Sequence, residues 1–189
     1  MPTKPEQIVL GFDPGLTRCG YGIVAKGTSR QIRFVEVGVL ESNRELDQSQ
    51  RVALIGDQLA RLLDTTKPEQ IAIERLFARQ NLKTVMGVAQ ISGVIVYPAH
   101  QRGIPVTFYT PTEVKAAVTG SGRANKIQVT NMVVRILKLN ELPKPADAAD
   151  ALAIAVTCAW RGGDSTPSST ETKAQEKWRT AIAASKKKP

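Results

Sequence analysis

Apolar residues in the first part of the chain fall into short runs closed by turn formers. Ile8 to Asp13 (IVLGFD) is apolar up to a terminal acid and breaks at Pro14-Gly15, the pattern of a buried strand ending in a turn. Tyr21 to Lys26 and Ile32 to Leu40 alternate across the polar link Gly27-Thr28-Ser29-Arg30, so three antiparallel strands in succession are expected. Val52, Leu54, Ile55, Leu59, Leu62 and Leu63 then recur at helical spacing ahead of Pro68, predicting a helix over one face of the sheet. Gln70 to Glu74 (QIAIE) is short, apolar and β-branched, a fourth strand that again ends on an acid.

The remaining pattern is mostly helical. Asn81 to Arg102 predicts a long helix with Val85, Met86, Val88, Ala89, Ile91, Val94, Ile95 and Tyr97 spread around its circumference. Such a helix needs more than one partner surface, which is met either by burial within the fold or by a second copy of the chain; Ile91 and Ile95 are the positions expected to meet that copy. Pro105 to Tyr109 reads as a fifth strand, Pro111 to Val118 as a short helix, Gly120-Ser121-Gly122 as a flexible break and Asn125 to Leu139 as an amphipathic helix. The last helix, PADAADALAIAVTCAW, is Ala-rich and apolar on most faces. This order predicts an α/β domain over residues 1–163: a five-stranded mixed sheet with its first and fourth strands adjacent and helices on both faces. Residues 164–189 turn to Ser, Thr, Pro, Glu and Lys and end in Lys186-Lys187-Lys188, a composition expected to be disordered. Trp178, Ala181 and Ile182 could form a brief helix there on a partner.

Composition narrows the partners. The 189 residues carry a net charge of +9, which suits a polyanion or an anionic surface. Cys19 and Cys158 form neither a metal-ligand spacing nor a disulfide framework. No signal sequence opens the chain and no apolar run approaches the roughly 18 residues of a membrane span, so a soluble, cytoplasmic protein is expected.

The candidate chemistry lies in four acids. Asp13 and Glu74 close two strands expected to be neighbours, so both should emerge at one end of the sheet. Asp147 and Asp150 stand three apart on one helical face, where like charges repel, with some relief from the helix dipole in the first turn. Each has an ordinary reading, Asp13 as a turn opener and the helical pair as N-terminal acids. A final helix lying across the sheet end would bring all four together, and four converging carboxylates need either raised pKa values or bound cations. Oxygen-only ligation favours Mg²⁺ or Mn²⁺. With a basic surface, the expected substrate is a phosphodiester cut by metal-activated water on the two-metal route.

The segments GFDPGLTRCGYG, IAIERLFARQN, VKAAVTGSGRANK and KPADAADALAIA resemble, in order and spacing, the RuvC family of Holliday junction resolvases, from about Ile8 to about Trp160. The resemblance implies a ribonuclease H-like fold and a homodimer that nicks two strands of a four-way DNA junction with Mg²⁺, for which Mn²⁺ substitutes, two ions per site. It also implies 5′-phosphate and 3′-hydroxyl ends and a link to the RuvA–RuvB branch-migration complex. By motif, the catalytic and metal-binding carboxylates fall on Asp13, Glu74, Asp147 and Asp150; some relatives carry His where Asp147 stands. Lys115 and Lys126 resemble phosphate ligands, Phe77 a side chain that stacks on an unpaired base, and Arg75, Arg79 and Lys83 grips on the DNA backbone. His100 matches no motif and is expected on the surface. Two active sites on a two-fold axis suit a two-fold symmetric junction. Three alternatives stand beside this reading. Asp13-Pro14-Gly15-Leu16-Thr17 also resembles the phosphate loop of actin-like ATPases and sugar kinases, whose chains normally duplicate the fold. The others are a junction-binding protein that does not cut, and a shorter RuvC-like family linked to RNA processing.

Overall fold

The computed structural model describes residues 6–27, 31–75 and 82–162, without the side chains of 82–84. In chain order its elements are β1 (Gln7–Asp13), β2 (Arg18–Lys26), β3 (Ile32–Glu41), α1 (Gln48–Thr66), β4 (Gln70–Glu74), α2 (Leu82–Gln101), β5 (Val106–Tyr109), α3 (Pro111–Thr119), α4 (Lys126–Leu137) and α5 (Ala146–Arg161). The strands form one sheet in the order β3-β2-β1-β4-β5. β1 pairs antiparallel with β2 and parallel with β4; β2 and β3 are antiparallel, β4 and β5 parallel. The five-stranded mixed sheet and the adjacency of the first and fourth strands are as expected.

Period-two alternation divides the core into two layers. Leu10, Phe12, Ile71 and Ile73 point to one face, where they pack with Ile55, Leu59 and Leu63 of α1 and Ile91, Ile95 and Ala99 of α2. Val9, Val24 and Ala72 point to the other, which α3, α4 and α5 cover. Capping boxes at Asp47, Thr110 and Asn125 open α1, α3 and α4, each satisfying two otherwise unpaired backbone N–H groups. Lys67, in the left-handed region at φ 44°, ends α1 just before Pro68.

Three expectations need correction. Strand β2 begins at Arg18 rather than Tyr21. Gly20 and Gly22 mask its alternation because their places on the sheet are filled by the backbone of α5: a Cβ on Gly22 would lie 2.7 Å from the Leu152 Cα, and one on Gly11 of β1 would lie 2.5 Å from the Ala155 nitrogen. For the same reason α5 does not lie across the sheet end. It runs along β1 and β2, antiparallel to β1, and only its first turns reach that end. Finally, Ile91 and Ile95 are fully buried against the sheet and cannot meet a second copy; the side of α2 that faces outward carries Met86 (55% exposed), Gly93, Tyr97 (67% exposed) and His100.

Candidate active site

The site grows out of strand register. Asp13 is the Cα partner of Gly20 across the β1–β2 ladder, and Phe12 pairs with Ile73, so the next step along the parallel strands sets Asp13 beside Glu74. Alternation puts both on the face with Val9 and Ala72, the face α5 covers. Gly20 then brings in the third acid: a Cβ there would lie 2.6 Å from the carbonyl carbon of Asp147, so the first turn of α5 rests directly on the Asp13–Gly20 pair. Asp150 follows one turn later, next to Lys126 at the start of α4. Asp147 alone lies in the first turn of α5, so the helix dipole favours Asp147 far more than Asp150.

The electrostatics register this convergence. Burial, together with the nearby carboxylates of Glu74, Asp150 and Asp147, pushes the Asp13 carboxyl up to about 7, against a smaller opposing pull from Lys126. Burial and the Asp150 carboxylate also raise Glu74, while Lys126 and Lys115 pull it down. Two cations are engaged directly: Lys126 Nζ donates to Asp150 Oδ2 at 2.6 Å, and Arg18 Nε to Asp147 Oδ2 at 2.8 Å. That hydrogen bond holds the Lys126 ammonium above its usual range.

The donor set suits a hard divalent cation: four carboxylates from three elements, with no sulfur or imidazole among them. As the side chains stand, no three His, Cys, Asp or Glu among the described residues enclose an ion. Arg18 and Lys126 draw Asp147 and Asp150 toward themselves, and ion binding would compete with these two pairs for the same oxygens.

Of the other expected site residues, Lys115 and Lys126 both act on Glu74 electrostatically, from the two sides of the Gly-rich break. Arg75 is exposed, its backbone N–H donating to the Tyr109 carbonyl at 2.7 Å, and its charge helps lower Glu113. Phe77, Arg79 and the side chain of Lys83 lie outside the described residues. His100 is on the surface of α2, as expected. Arg18 was not expected at the site. A signal existed, since in an antiparallel hairpin Arg18 shares the face of Gly20 and therefore of Asp13. From Arg18 and Asp147 a cleft of about 400 Å³ runs past Thr17 to Arg44 and Arg51. A larger cleft of about 1020 Å³, walled by Phe34, Leu139 and Trp160, carries none of the four acids.

Comparison with known proteins decides between the alternatives. Residues 9–158 match the family model of crossover junction endodeoxyribonuclease RuvC. The chain belongs to the RuvC family. It is 54% identical to RuvC of Renibacterium salmoninarum, over 95% of this chain and 94% of that one, and 50% identical to RuvC of Paenarthrobacter aurescens, over 95% and 97%. Among solved structures it resembles T. thermophilus RuvC in complex with a Holliday junction substrate, with a TM-score of 0.76 and 38% identity over 82% of this chain and 94% of that one. The yeast mitochondrial Holliday junction resolvase shares the fold at 16% identity, with a TM-score of 0.62. The RuvC family comprises metal-dependent nucleases, so this chain is a Holliday junction-resolving endonuclease with a ribonuclease H-like fold. No helix among the described residues is long and apolar enough to cross a membrane.

Proposed function

We infer that Asp13, Glu74, Asp147 and Asp150 are the catalytic carboxylates of this endonuclease and hold its Mg²⁺, two ions per site, with Mn²⁺ as a substitute. The observation that carries this reading is the gathering of four acids from β1, β4 and α5, in which burial and the neighbouring carboxylates push the Asp13 carboxyl up to about 7. Such a group costs stability when ionised without a cation, a cost that a metal site explains and a simple turn does not. When bound, the ions supply a water ionised at neutral pH and neutralise charge on the phosphoryl oxygens.

The chain's own residues supply the remaining parts. Asp13 and Glu74, on adjacent strands, form the rigid half of the site. Asp147 and Asp150 form the half carried by α5. Lys126 pairs with Asp150; were that acid to turn to an ion, the Lys126 ammonium would hold a non-bridging oxygen of the scissile phosphodiester, with Lys115 as a second cation. Hydrolysis leaves a 5′-phosphate and a 3′-hydroxyl. Phe77 stacks on an unpaired base near the junction centre, and Arg75, Arg79 and Lys83 hold backbone.

Two assembly proposals accompany the site. Paired incisions in a two-fold symmetric junction call for two sites on a C2 axis. The outward stripe of α2 around Met86, Gly93 and Tyr97 is the surface that suits such an interface, since large apolar side chains are exposed there along one face. Tyr97→Glu with Met86→Lys should give a monomer in gel filtration; an unchanged dimer would exclude this face. The RuvA–RuvB branch-migration complex is the proposed partner in the cell. For the reaction itself, a synthetic four-way junction incubated with the protein should acquire symmetric, ligatable nicks with Mg²⁺ and none with chelator. Nicks that form equally in chelator, or that ligase cannot seal, would reject the proposed metal chemistry.

A further inference from the structure

The cleft leading away from Asp147 holds an arginine in an unusual setting. Arg51 is half-buried in the first turn of α1; its Nη2 donates to Thr17 Oγ1 at 2.6 Å and its Nε to Ser42 Oγ at 3.1 Å. Ser42 is itself buried, donating through Oγ to the Leu16 carbonyl and through its backbone N–H to the Thr17 carbonyl. The guanidinium is thus clamped to the turn that follows Asp13, yet both of its partners are neutral. Arg18, Arg33, Arg102 and Arg161 pair with carboxylates; Arg51 and the exposed Arg44, like Arg61, Arg75, Arg123 and Arg135, have no carboxylate ion pair among the described residues, and of these six Arg51 is the one held by two side-chain hydroxyls.

That placement is electrostatically costly in two ways. A cation in the first turn of a helix opposes the macrodipole, and partial burial removes water from the charge. The only described acid lining the cleft is Asp147, and Arg18 already engages it. A rigidly oriented guanidinium lining one cleft with a second arginine suits the oxygens of a phosphodiester. Because the cleft is continuous with the carboxylate site at Arg18 and Asp147, an anion held in it would belong to the strand being cut.

We propose that Arg51 and Arg44 form a phosphodiester subsite, binding the backbone of the incised strand beside the scissile position and setting its register over the carboxylates. The proposal rests on the carboxylate assignment only for its direction, since it names where the strand runs from that site.

The test measures binding of a labelled synthetic junction by fluorescence anisotropy between roughly 50 and 200 mM salt. All proteins carry Asp13→Asn, which keeps the DNA intact if the carboxylate reading holds. Arg44→Gln/Arg51→Gln should bind several-fold more weakly at the upper salt. Its slope of log K against log salt should be shallower by about 0.9 for each phosphate that is no longer neutralised. Arg61→Gln, further along α1, should leave the slope unchanged. If the double variant does not fold, the exposed Arg44→Gln alone decides, with a slope shallower by about 0.9. An unchanged slope, or an equal change in Arg61→Gln, overturns the subsite. So does stabilisation by inorganic phosphate that depends on both arginines without any change in junction binding, since that would mark a site for a free anion. Should the Asp13→Asn background still cut, the carboxylate assignment fails while the slopes, taken in chelator, still report on the cleft.

Discussion

The two faces of the sheet are packed by opposite means. Under α1 and α2, bulky residues interlock: Leu10, Phe12, Ile71 and Ile73 against Ile55, Leu59, Leu63, Ile91 and Ile95. Under α5 the contact is backbone on backbone, with Gly11, Gly20 and Gly22 facing Asp147, Ala151, Leu152 and Ala155. Large apolar side chains supply most of the hydrophobic stabilisation and leave some freedom of position. Backbone contact supplies less of it per residue and tolerates almost no displacement, which suits a helix that presents two of the four proposed catalytic acids. Both faces bury apolar side chains, and the one under α5 in addition sets the geometry of the site through backbone contact.

Substitutions on the two faces should therefore fail differently. The largest effect on activity is expected for Gly20→Val, whose side chain would have to displace the first turn of α5 and with it Asp147. Junction cutting should fall by roughly 100-fold or more, since misplacement of a reacting group by about 1 Å has that effect, while junction binding persists. On the other face Leu59→Ala should cost about 2–5 kcal/mol in denaturant unfolding, because it empties a fully buried site. Yet below its melting temperature that protein should cut within a few-fold of the unaltered rate. The reverse outcome, with Gly20→Val active and Leu59→Ala folded but inert, would remove the distinction.

Titration sharpens the same contrast. Asp13 has its folded pKa raised to about 7, above the ordinary Asp value near 3.9. The folded state therefore holds the Asp13 proton more tightly, and without divalent ions stability should decline as pH rises from about 4 to about 7. The decline is on the order of 2–4 kcal/mol and is complete above pH 7. Asp13→Asn should flatten that slope and melt higher than the unaltered protein at pH 8 in chelator, as thermal scans would show. A lower melting point there would contradict the burial of an ionisable Asp13. The smallest effect is expected for Gly56→Ala in α1, whose added Cβ meets only Val94 Cγ1 at 3.4 Å. It should be neutral or stabilising by up to about 1 kcal/mol, in contrast to any substitution at Gly20.

How much of this was legible follows the same division. Period-two and period-3.6 patterns showed β1, β3, β4 and the helices, because bulky side chains announce where they are buried. The pairing of Asp13 with Glu74 was legible too, since each acid ends an apolar run. Part of what the pattern hid depended on glycine. Gly20 and Gly22 obscured the start of β2, and with it Arg18, because a residue without a side chain carries no periodic signal. The path of α5 along β1 and β2 was hidden for the same reason. On α2 the apolar residues were plain, but composition alone could not show that Ile91 and Ile95 point inward while Met86 and Tyr97 point out. Arg51 was invisible as a site residue, because its setting is made by Thr17 and Ser42, distant in sequence and ordinary in type.

The most direct test of the gathered carboxylates is the rate at which Asp13→Asn protein nicks a synthetic four-way junction in Mg²⁺, measured with its junction affinity. The expected result is cutting reduced by about 100- to 1,000-fold, on the scale seen when an electrostatic catalytic group is lost, with affinity within a few-fold of the unaltered protein. Nicking at close to the unaltered rate would show that Asp13 is not part of the metal site.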